Sequence, residues 1–207
     1  HHLIGVLWRP ANWKLSSLPK ALSSSEVECL LEALDFDGPS ARRAKAIVHC
    51  ALDLGLRCSE VARLGLDDID WREATITLRR TKSCREDVMP LPAATGSVIA
   101  DYLRFERPQT VKNRSIFVRS IAPREQPIGP DLVRKTIRQA YARAGLPYTR
   151  AHLLRHTVAS RLLEGGSSLK EVADVLRHRS LNTTLIYAKL DRKNLVAVAL
   201  PWPGSTS

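Results

Sequence analysis

One stretch of the sequence, residues 74–91, has the pattern of a β-hairpin, whereas the other regular segments have helical spacing. Ile76 and Leu78 alternate with polar residues up to Arg79, a polar turn covers residues 81–86, and residues 87–91 return as extended chain. Helices are predicted at residues 24–34, 41–54, 59–64, 93–107, 131–144, 151–163, 169–176 and 182–188. We therefore expect a mainly α fold with a small antiparallel β-sheet or hairpin, in the α+β class.

Composition excludes several classes of protein. The 207 residues are 44% hydrophobic and 26% charged, which is typical of a globular domain with a real core. No apolar run approaches the roughly 20 residues that a membrane span needs. The four cysteines lack Cys-x-x-Cys spacing, so we expect free thiols and neither a disulfide framework nor a zinc site. There is no strand–helix alternation, Gly-rich phosphate loop or internal repeat, which disfavours doubly wound nucleotide-binding folds.

Charge is unevenly distributed along the chain. The net charge is +11, and residues 131–161 hold seven basic residues and one acid. Residues 24–40, in contrast, hold five acids and no base. Such a two-sided molecule favours an oriented docking face for a polyanion such as DNA. The alternative is that the basic run is only a solvated helix face.

The predicted helix at residues 151–163 has two faces. Leu154, Val158 and Leu162 form one stripe, while His152 and Arg155 lie on another. We expect the His and the Arg to point together, away from the core. A His-x-x-Arg pair alone is weak evidence, since such pairs are commonly surface or capping arrangements.

Five short motifs occur in a fixed order along the chain. They are Gly55-Leu56-Arg57-Cys58-Ser59-Glu60 (the first arginine motif), Thr81-Lys82, His152-Leu153-Leu154-Arg155-His156-Thr157 (the second arginine motif), Leu176-Arg177-His178 (the histidine motif) and Thr183-Thr184-Leu185-Ile186-Tyr187 (the nucleophile motif). Each is modest alone, but the ordered set over about residues 18–191 resembles the catalytic domain of the tyrosine recombinase, or phage integrase, family.

The resemblance implies a role for six catalytic residues. Arg57 and Arg155 would clamp a DNA phosphate, because a guanidinium holds two oxygens at once and stays charged. His178 would add a hydrogen bond, and Tyr187 would attack to give a 3′-phosphotyrosyl intermediate. Lys82 would protonate the departing 5′ oxygen, and His152 would either accept the phenolic proton or orient the phosphate. Glu60 is expected to orient Arg57 or its neighbours, with no cofactor and no metal required.

Some of these assignments have rivals in the sequence. Lys82 competes with Arg79, Arg80 and Arg85, since hairpin tips are rich in basic residues for solubility. Tyr187 could instead be a buried aromatic side chain. The basic run predicts DNA binding by four side chains: Arg134, Lys135 and Arg138 on the exposed side of the helix at 131–144, and Arg150 two residues before the second arginine motif.

The sequence departs from the family pattern in two places. Arg177 stands where the family usually has Gly before the histidine, which could alter that turn. Members also carry an N-terminal helical domain, so the chain is expected to be a fragment or a reduced member. We divide it into an arm or linker (1–19), the catalytic domain (20–190) and a C-terminal tail (191–207), which would pack in cis or dock on a neighbouring protomer.

The predicted function is that of a site-specific DNA recombinase or integrase. It would act on a double-stranded recombination site as a homo-tetramer, free of membranes, in the cytoplasm and nucleoid of a bacterium. The alternatives are a type IB topoisomerase, which shares the chemistry, and a non-catalytic DNA-binding regulator.

Overall fold

The computed structural model describes residues 20–79 and 86–177. The predictions for residues 1–19, for Lys82 in the hairpin turn, for the 182–188 helix and for the tail lie outside these residues. The elements, in chain order, are α1 (Ser24–Glu32), α2 (Ala41–Asp53), α3 (Cys58–Arg63), a 3₁₀ turn (Leu66–Asp68), β1 (Ile69–Asp70), β2 (Thr75–Arg79), β3 (Glu86–Pro90), α4 (Ala93–Phe105), α5 (Pro130–Arg143), α6 (His152–Glu164) and α7 (Leu169–Val175). The predicted mainly α fold with one small sheet is confirmed.

Local capping explains where α1 begins. Ser23 accepts a hydrogen bond from the Glu26 backbone, and Glu26 accepts one from the Ser23 backbone, which is a capping box. Ser168 and Glu171 form the same arrangement at the start of α7. The predicted starts of α1 and α7 agree with the observed ones, because side-chain caps of this kind are visible in the sequence.

The sheet has three antiparallel strands in the order β1-β2-β3. The predicted hairpin corresponds to β2 and β3, with Ile76 opposite Met89 and Arg79 opposite Glu86. β1 was not predicted, because two residues are too few to show an alternating pattern. Arg79 and Glu86 are the last paired residues of this hairpin, and residues 80–85, which include Lys82, lie outside the described residues.

Helix α2 forms the centre of the core and packs against α3, α4, α5 and α6. Ala46, Ile47, Val48 and Cys50 are fully buried in it. Burial on several sides explains why residues 46–52 of this helix are all buried. Among the described residues, no helix combines the length and apolar character that crossing a membrane requires.

Helices α6 and α7 form a second, smaller core. Val158 and Ala159 of α6 pack there with Val172 and Leu176. The expectation that Arg155 points away from the core was wrong, since Arg155 is buried. The turn at Gly55 and the end of α7 cover Arg155, whereas Arg161, further along the same helix, is exposed.

Candidate active site

Arg57 lies at the N-terminus of α3 and is paired with Glu60 one turn later. The Glu60 carboxylate accepts a hydrogen bond from the Arg57 backbone (2.8 Å) and another from Arg57 Nη1 (2.9 Å). Burial acts to raise the pKa of Glu60, but the guanidinium of Arg177, the Arg57 backbone and the Arg57 side chain outweigh it and lower that pKa. Glu60 is therefore a carboxylate at neutral pH and fixes the position of Arg57.

Arg155 is held by backbone carbonyl groups. Its Nη1 donates to the carbonyl oxygen of Gly55, and its Nη2 donates to that of Leu176. The buried guanidinium thus joins the turn after α2 to the end of α7. Gly55 suits this turn because its φ is +60°, where glycine is favoured.

The two arginines meet at one turn of the chain. Arg57 Nη2 lies 3.4 Å from the carbonyl oxygen of Arg177, and Arg155 contacts the carbonyl oxygen of the preceding residue, Leu176. These are the two residues directly before His178. The structure therefore brings the first and second arginine motifs together beside the histidine motif.

His152 begins α6, and its side chain is exposed. Partial desolvation lowers the pKa of His152, and the positive charges of Arg155, Arg57 and Arg134 lower it further. The imidazole is therefore near both arginines and is neutral at neutral pH. A neutral imidazole can accept a proton or a hydrogen bond, which fits either role expected for His152.

His156 lies one turn along α6 from His152. The centroids of the two rings are 6.5 Å apart. Desolvation, followed by the charges of His152 and Arg155, lowers the pKa of His156. Both histidines thus favour their neutral form in the folded protein.

The predicted DNA-binding residues are exposed on one part of the surface. Arg134, Lys135 and Arg138 lie on the solvent side of α5. Arg134 also contributes to the electrostatics of Cys58 and His152, so it is close to the arginine motifs. Arg150 lines a groove of about 430 Å³, together with Lys20, Pro147, Tyr148, Thr149, His152, Leu153 and His156.

Arg177 is a residue whose importance was not recognised from the sequence. Its side chain is only 4% exposed and donates to Glu60 Oε2 at 3.0 Å. Nη1 contacts the sulfur of Met89 on β3 (3.2 Å) and the carbonyl oxygen of Val175 (2.9 Å). The only signal in the sequence was an arginine where glycine is usual.

Three expected catalytic residues, Lys82, His178 and Tyr187, lie outside the described residues. The described tyrosines have structural surroundings instead. Tyr102 is buried and its hydroxyl accepts from the Val118 backbone, Tyr141 is buried, and the Tyr148 hydroxyl donates to Glu26 (2.7 Å). Burial raises the pKa of Tyr102 and Tyr141, and the hydrogen bond to Glu26 raises that of Tyr148.

The described part of the chain contains no group of three or more His, Cys, Asp or Glu side chains that could hold a metal ion. Cys29, Cys50 and Cys58 are free thiols, as predicted, and Cys84 lies outside the described residues.

Comparisons with known proteins identify the class to which this fold and site belong. The fold resembles the crystal structure of XerA recombinase (TM-score 0.75, 26% identity, 90% of this chain and 66% of that one). It also resembles XerH site-specific recombinase bound to palindromic difH substrate in a post-cleavage complex (TM-score 0.74, 26% identity, 90% and 54%). The fold is therefore that of a tyrosine recombinase catalytic domain.

Sequence comparisons agree. The profile of the Phage integrase family matches residues 20–194, and the chain belongs to that family. It is similar to the putative integrase/recombinases y4rA (43% identity, 94% of this chain, 47% of that protein), y4rF (35%, 100% and 50%) and y4gC (33%, 91% and 98%) of Sinorhizobium fredii. The chain thus spans about half the length of y4rA and y4rF, and nearly all of y4gC.

Proposed function

We propose that this chain carries the catalytic centre of a site-specific DNA recombinase or integrase. It would cleave a DNA strand by transesterification to a tyrosine and rejoin a strand by the reverse reaction. The observation that carries the proposal is the convergence of Arg57 and Arg155 on the carbonyl groups of residues 176 and 177. Two guanidiniums meet there at the turn that leads into His178.

The chemistry requires charge neutralisation at one phosphate. As the nucleophile attacks, negative charge accumulates on the non-bridging oxygens, and fixed cations lower the barrier by stabilising that charge. Arg57 suits this role because its side chain is one-third exposed at the helix N-terminus. Arg155 is buried, so it would both shape the turn and add its charge to the site.

Tyr187 is proposed as the nucleophile. Its hydroxyl oxygen would form a bond to the phosphorus, the bond from phosphorus to the 5′ oxygen would break, and the 3′ phosphate would remain on the tyrosine. Of the chain's four tyrosines, Tyr102, Tyr141 and Tyr148 have raised pKa values, which disfavours the phenolate. This supports Tyr187 as the nucleophile.

The remaining groups would handle protons and orientation. His152, neutral and beside the arginines, would accept the phenolic proton or hydrogen-bond the phosphate. Lys82 would donate a proton to the departing 5′ oxygen, and His178 would donate a hydrogen bond to the phosphate. Glu60 would hold Arg57 in place.

The proposed partner is a double-stranded DNA recombination site, bound by Arg134, Lys135, Arg138 and Arg150 as part of a homo-tetramer. Support comes from the exposure of these residues beside the arginine motifs. We also propose that residues 20–190 form the catalytic unit and that strand exchange needs no metal or cofactor. Two guanidiniums at the phosphate would supply the charge neutralisation that a divalent cation supplies elsewhere.

A covalent trap tests the proposal. The chain is incubated with a pool of nicked duplexes of randomised sequence, in which cleavage beside the nick releases a short fragment and prevents rejoining. Adducts that resist denaturant are isolated, and the attached peptide and DNA are sequenced. We expect an adduct at Tyr187 and a common DNA sequence, formed equally well with and without EDTA.

The matched control is Tyr187→Phe, which should bind the same duplexes and give no adduct. An adduct at another tyrosine, or none with the unaltered chain, would refute the proposed role. Loss of the adduct in EDTA would refute metal independence. Relaxation of supercoiled plasmids that lack the selected sequence would instead support the topoisomerase alternative.

A further inference from the structure

Arg177 occupies a backbone conformation that disfavours its own side chain. Its φ is +53°, in the left-handed region where the Cβ atom is crowded and glycine is preferred. A non-glycine residue persists there when the surroundings impose it. The side chain of Arg177 is almost fully buried, so its contacts are the feature that holds it in place.

Those contacts join three parts of the site. Nη2 bonds Glu60 of α3, Nη1 bonds the carbonyl oxygen of Val175 and touches Met89 of β3, and Asp87 of β3 acts on the same guanidinium electrostatically. β3 is the strand that follows the connection containing Lys82. Arg177 therefore links the first arginine motif, the hairpin and the turn before His178.

The contact with Glu60 also affects Arg57. A carboxylate can bind one guanidinium through both oxygens, in a fork-to-fork pair. Here Oε2 of Glu60 is occupied by Arg177 and by the Arg57 backbone, and the Arg57 side chain reaches only Oε1. Among the described residues, the second terminal nitrogen of Arg57 makes one long contact, to the carbonyl oxygen of Arg177 (3.4 Å).

We propose that Arg177 is a positioning residue: by occupying Glu60 Oε2 it limits Glu60 to a single bond with the Arg57 guanidinium, leaving the other edge of Arg57 for a DNA phosphate. Without Arg177, Glu60 would pair with Arg57 through both oxygens and compete with the phosphate. This inference rests on the proposed strand cleavage.

Three variants separate charge from backbone strain. Arg177→Met keeps a long side chain and the strained φ, Arg177→Lys also keeps the charge, and Arg177→Gly relieves the strain but removes the side chain. The double variant Glu60→Gln, Arg177→Met removes the competing carboxylate charge, while Gln still caps α3. Duplex affinity is measured by anisotropy, and adduct formation is measured in single turnovers at saturating duplex, using a sequence selected by the trap.

We expect Arg177→Met and Arg177→Gly to form the adduct about tenfold or more slowly, with duplex affinity changed by less than about threefold. Arg177→Lys should recover most of the rate, and the Glu60→Gln, Arg177→Met double variant should be faster than Arg177→Met alone. Thermal unfolding is recorded for each variant. If Arg177→Met does not fold, the rates of adduct formation by Arg177→Lys and Arg177→Gly decide whether the charge of Arg177 is required.

The opposite results would overturn the proposal. A merely structural role predicts that glycine, which fits the turn, restores the wild-type rate and that Glu60→Gln gives no rescue. An unaltered rate in Arg177→Met would likewise refute it. If the unaltered chain forms no adduct at all, the proposed function fails. If the unaltered chain and all variants form the adduct at equal rates, only the proposed role of Arg177 fails.

Discussion

The buried guanidinium of Arg155 donates a hydrogen bond to the carbonyl oxygen of Leu176, at the end of α7. A second bond to Gly55 ties the same side chain to the turn before Arg57. Arg155, a residue of the second arginine motif, thus holds both Gly55 of the first arginine motif and Leu176 of the histidine motif. The site and the fold share this interaction, so substitutions here affect activity and stability together.

Two substitutions of Arg155 measure the effect on stability and the effect on activity. Arg155→Ala should lower the free energy of unfolding by about 2 kcal/mol, because two buried carbonyl groups lose a charged donor. Arg155→Lys keeps the charge but cannot bond both carbonyls in the same fork geometry, and we expect about a hundredfold slower adduct formation. Urea denaturation and the covalent trap measure the two quantities.

The control for Arg155 is Arg161→Ala on the same helix. Arg161 is exposed, so its removal should change the unfolding free energy by less than about 0.5 kcal/mol. Equal losses at the two positions would show that the carbonyl contacts of Arg155 contribute little.

Gly55 allows a second test of the same turn. A Cβ atom at residue 55 would lie 2.7 Å from Leu176 Cδ2, and φ is +60°. Gly55→Ala should therefore destabilise the fold by about 2–4 kcal/mol, from backbone strain and a steric clash. It should also slow adduct formation, since the Leu176 side chain must move and the carbonyl group of Leu176 is an acceptor of Arg155.

Gly145 is the matched control, because its φ is +67° but a Cβ atom there would have no neighbour within 4 Å. Gly145→Ala should cost only about 1 kcal/mol, from strain alone. Thermal and urea unfolding of the two variants isolate the contact with Leu176. Equal losses of unfolding free energy in Gly55→Ala and Gly145→Ala would contradict the predicted clash with Leu176.

The two histidines of α6 predict a pH dependence of stability. The pKa values of His152 and His156 lie below 6.5 in the folded state, so the unfolded chain binds protons more readily. Their contribution to the free energy of unfolding is complete above pH 6.5. It is lost as the pH falls through the folded-state pKa values of the two histidines. The free energy of unfolding should thus decrease from about pH 7.5 to about pH 5.5.

The double variant His152→Gln, His156→Gln should show a smaller decrease over that interval. Glu26, Glu60 and Glu171 have lowered pKa values and an ordinary value of 4.5, so their effect belongs to more acidic pH. Urea denaturation at several pH values provides the measurement. Identical pH profiles for the variant and the unaltered chain would contradict the assignment.

The exposed basic side chains of α5 predict salt-dependent DNA binding. Each phosphate contact that is lost should reduce the slope of log affinity against log salt by about 0.9. Lys135→Ala and Arg138→Ala should each show this change in fluorescence anisotropy with a duplex. Lys45→Ala is the control, because Lys45 pairs with Asp35 of the acidic residues 24–40. This variant should leave the slope of log affinity against log salt unchanged.

The sequence predicts most of the helices and the buried Leu154 and Val158 of α6, but not the burial of Arg155 on the same helix. The capping box at Ser23 is local, so the start of α1 could be read from four residues. The burial of Arg155 depends on Gly55 and Leu176, which are distant in sequence, and no periodicity within α6 could reveal them. A buried arginine looks like a surface arginine until its acceptors are known.

The same reason explains why Arg177 and β1 were missed. Arg177 is important because it contacts Glu60 and Met89, which belong to segments about a hundred residues earlier in the sequence. β1 is a strand only because β2 pairs with it. The order of the motifs did predict that Arg57 and Arg155 lie close together in the fold, because the family resemblance supplied the long-range information that local patterns lack.

The bond from Arg155 to Gly55 joins residues 100 positions apart. The amide of Leu22 similarly donates to the hydroxyl of Thr157, across 135 positions. During synthesis on the ribosome, both early groups must wait until α6 has emerged before they find these partners. A nascent chain halted after α5 would therefore hold most of its apolar core while Arg57 and the turn at Gly55 still lacked the helix that fixes them.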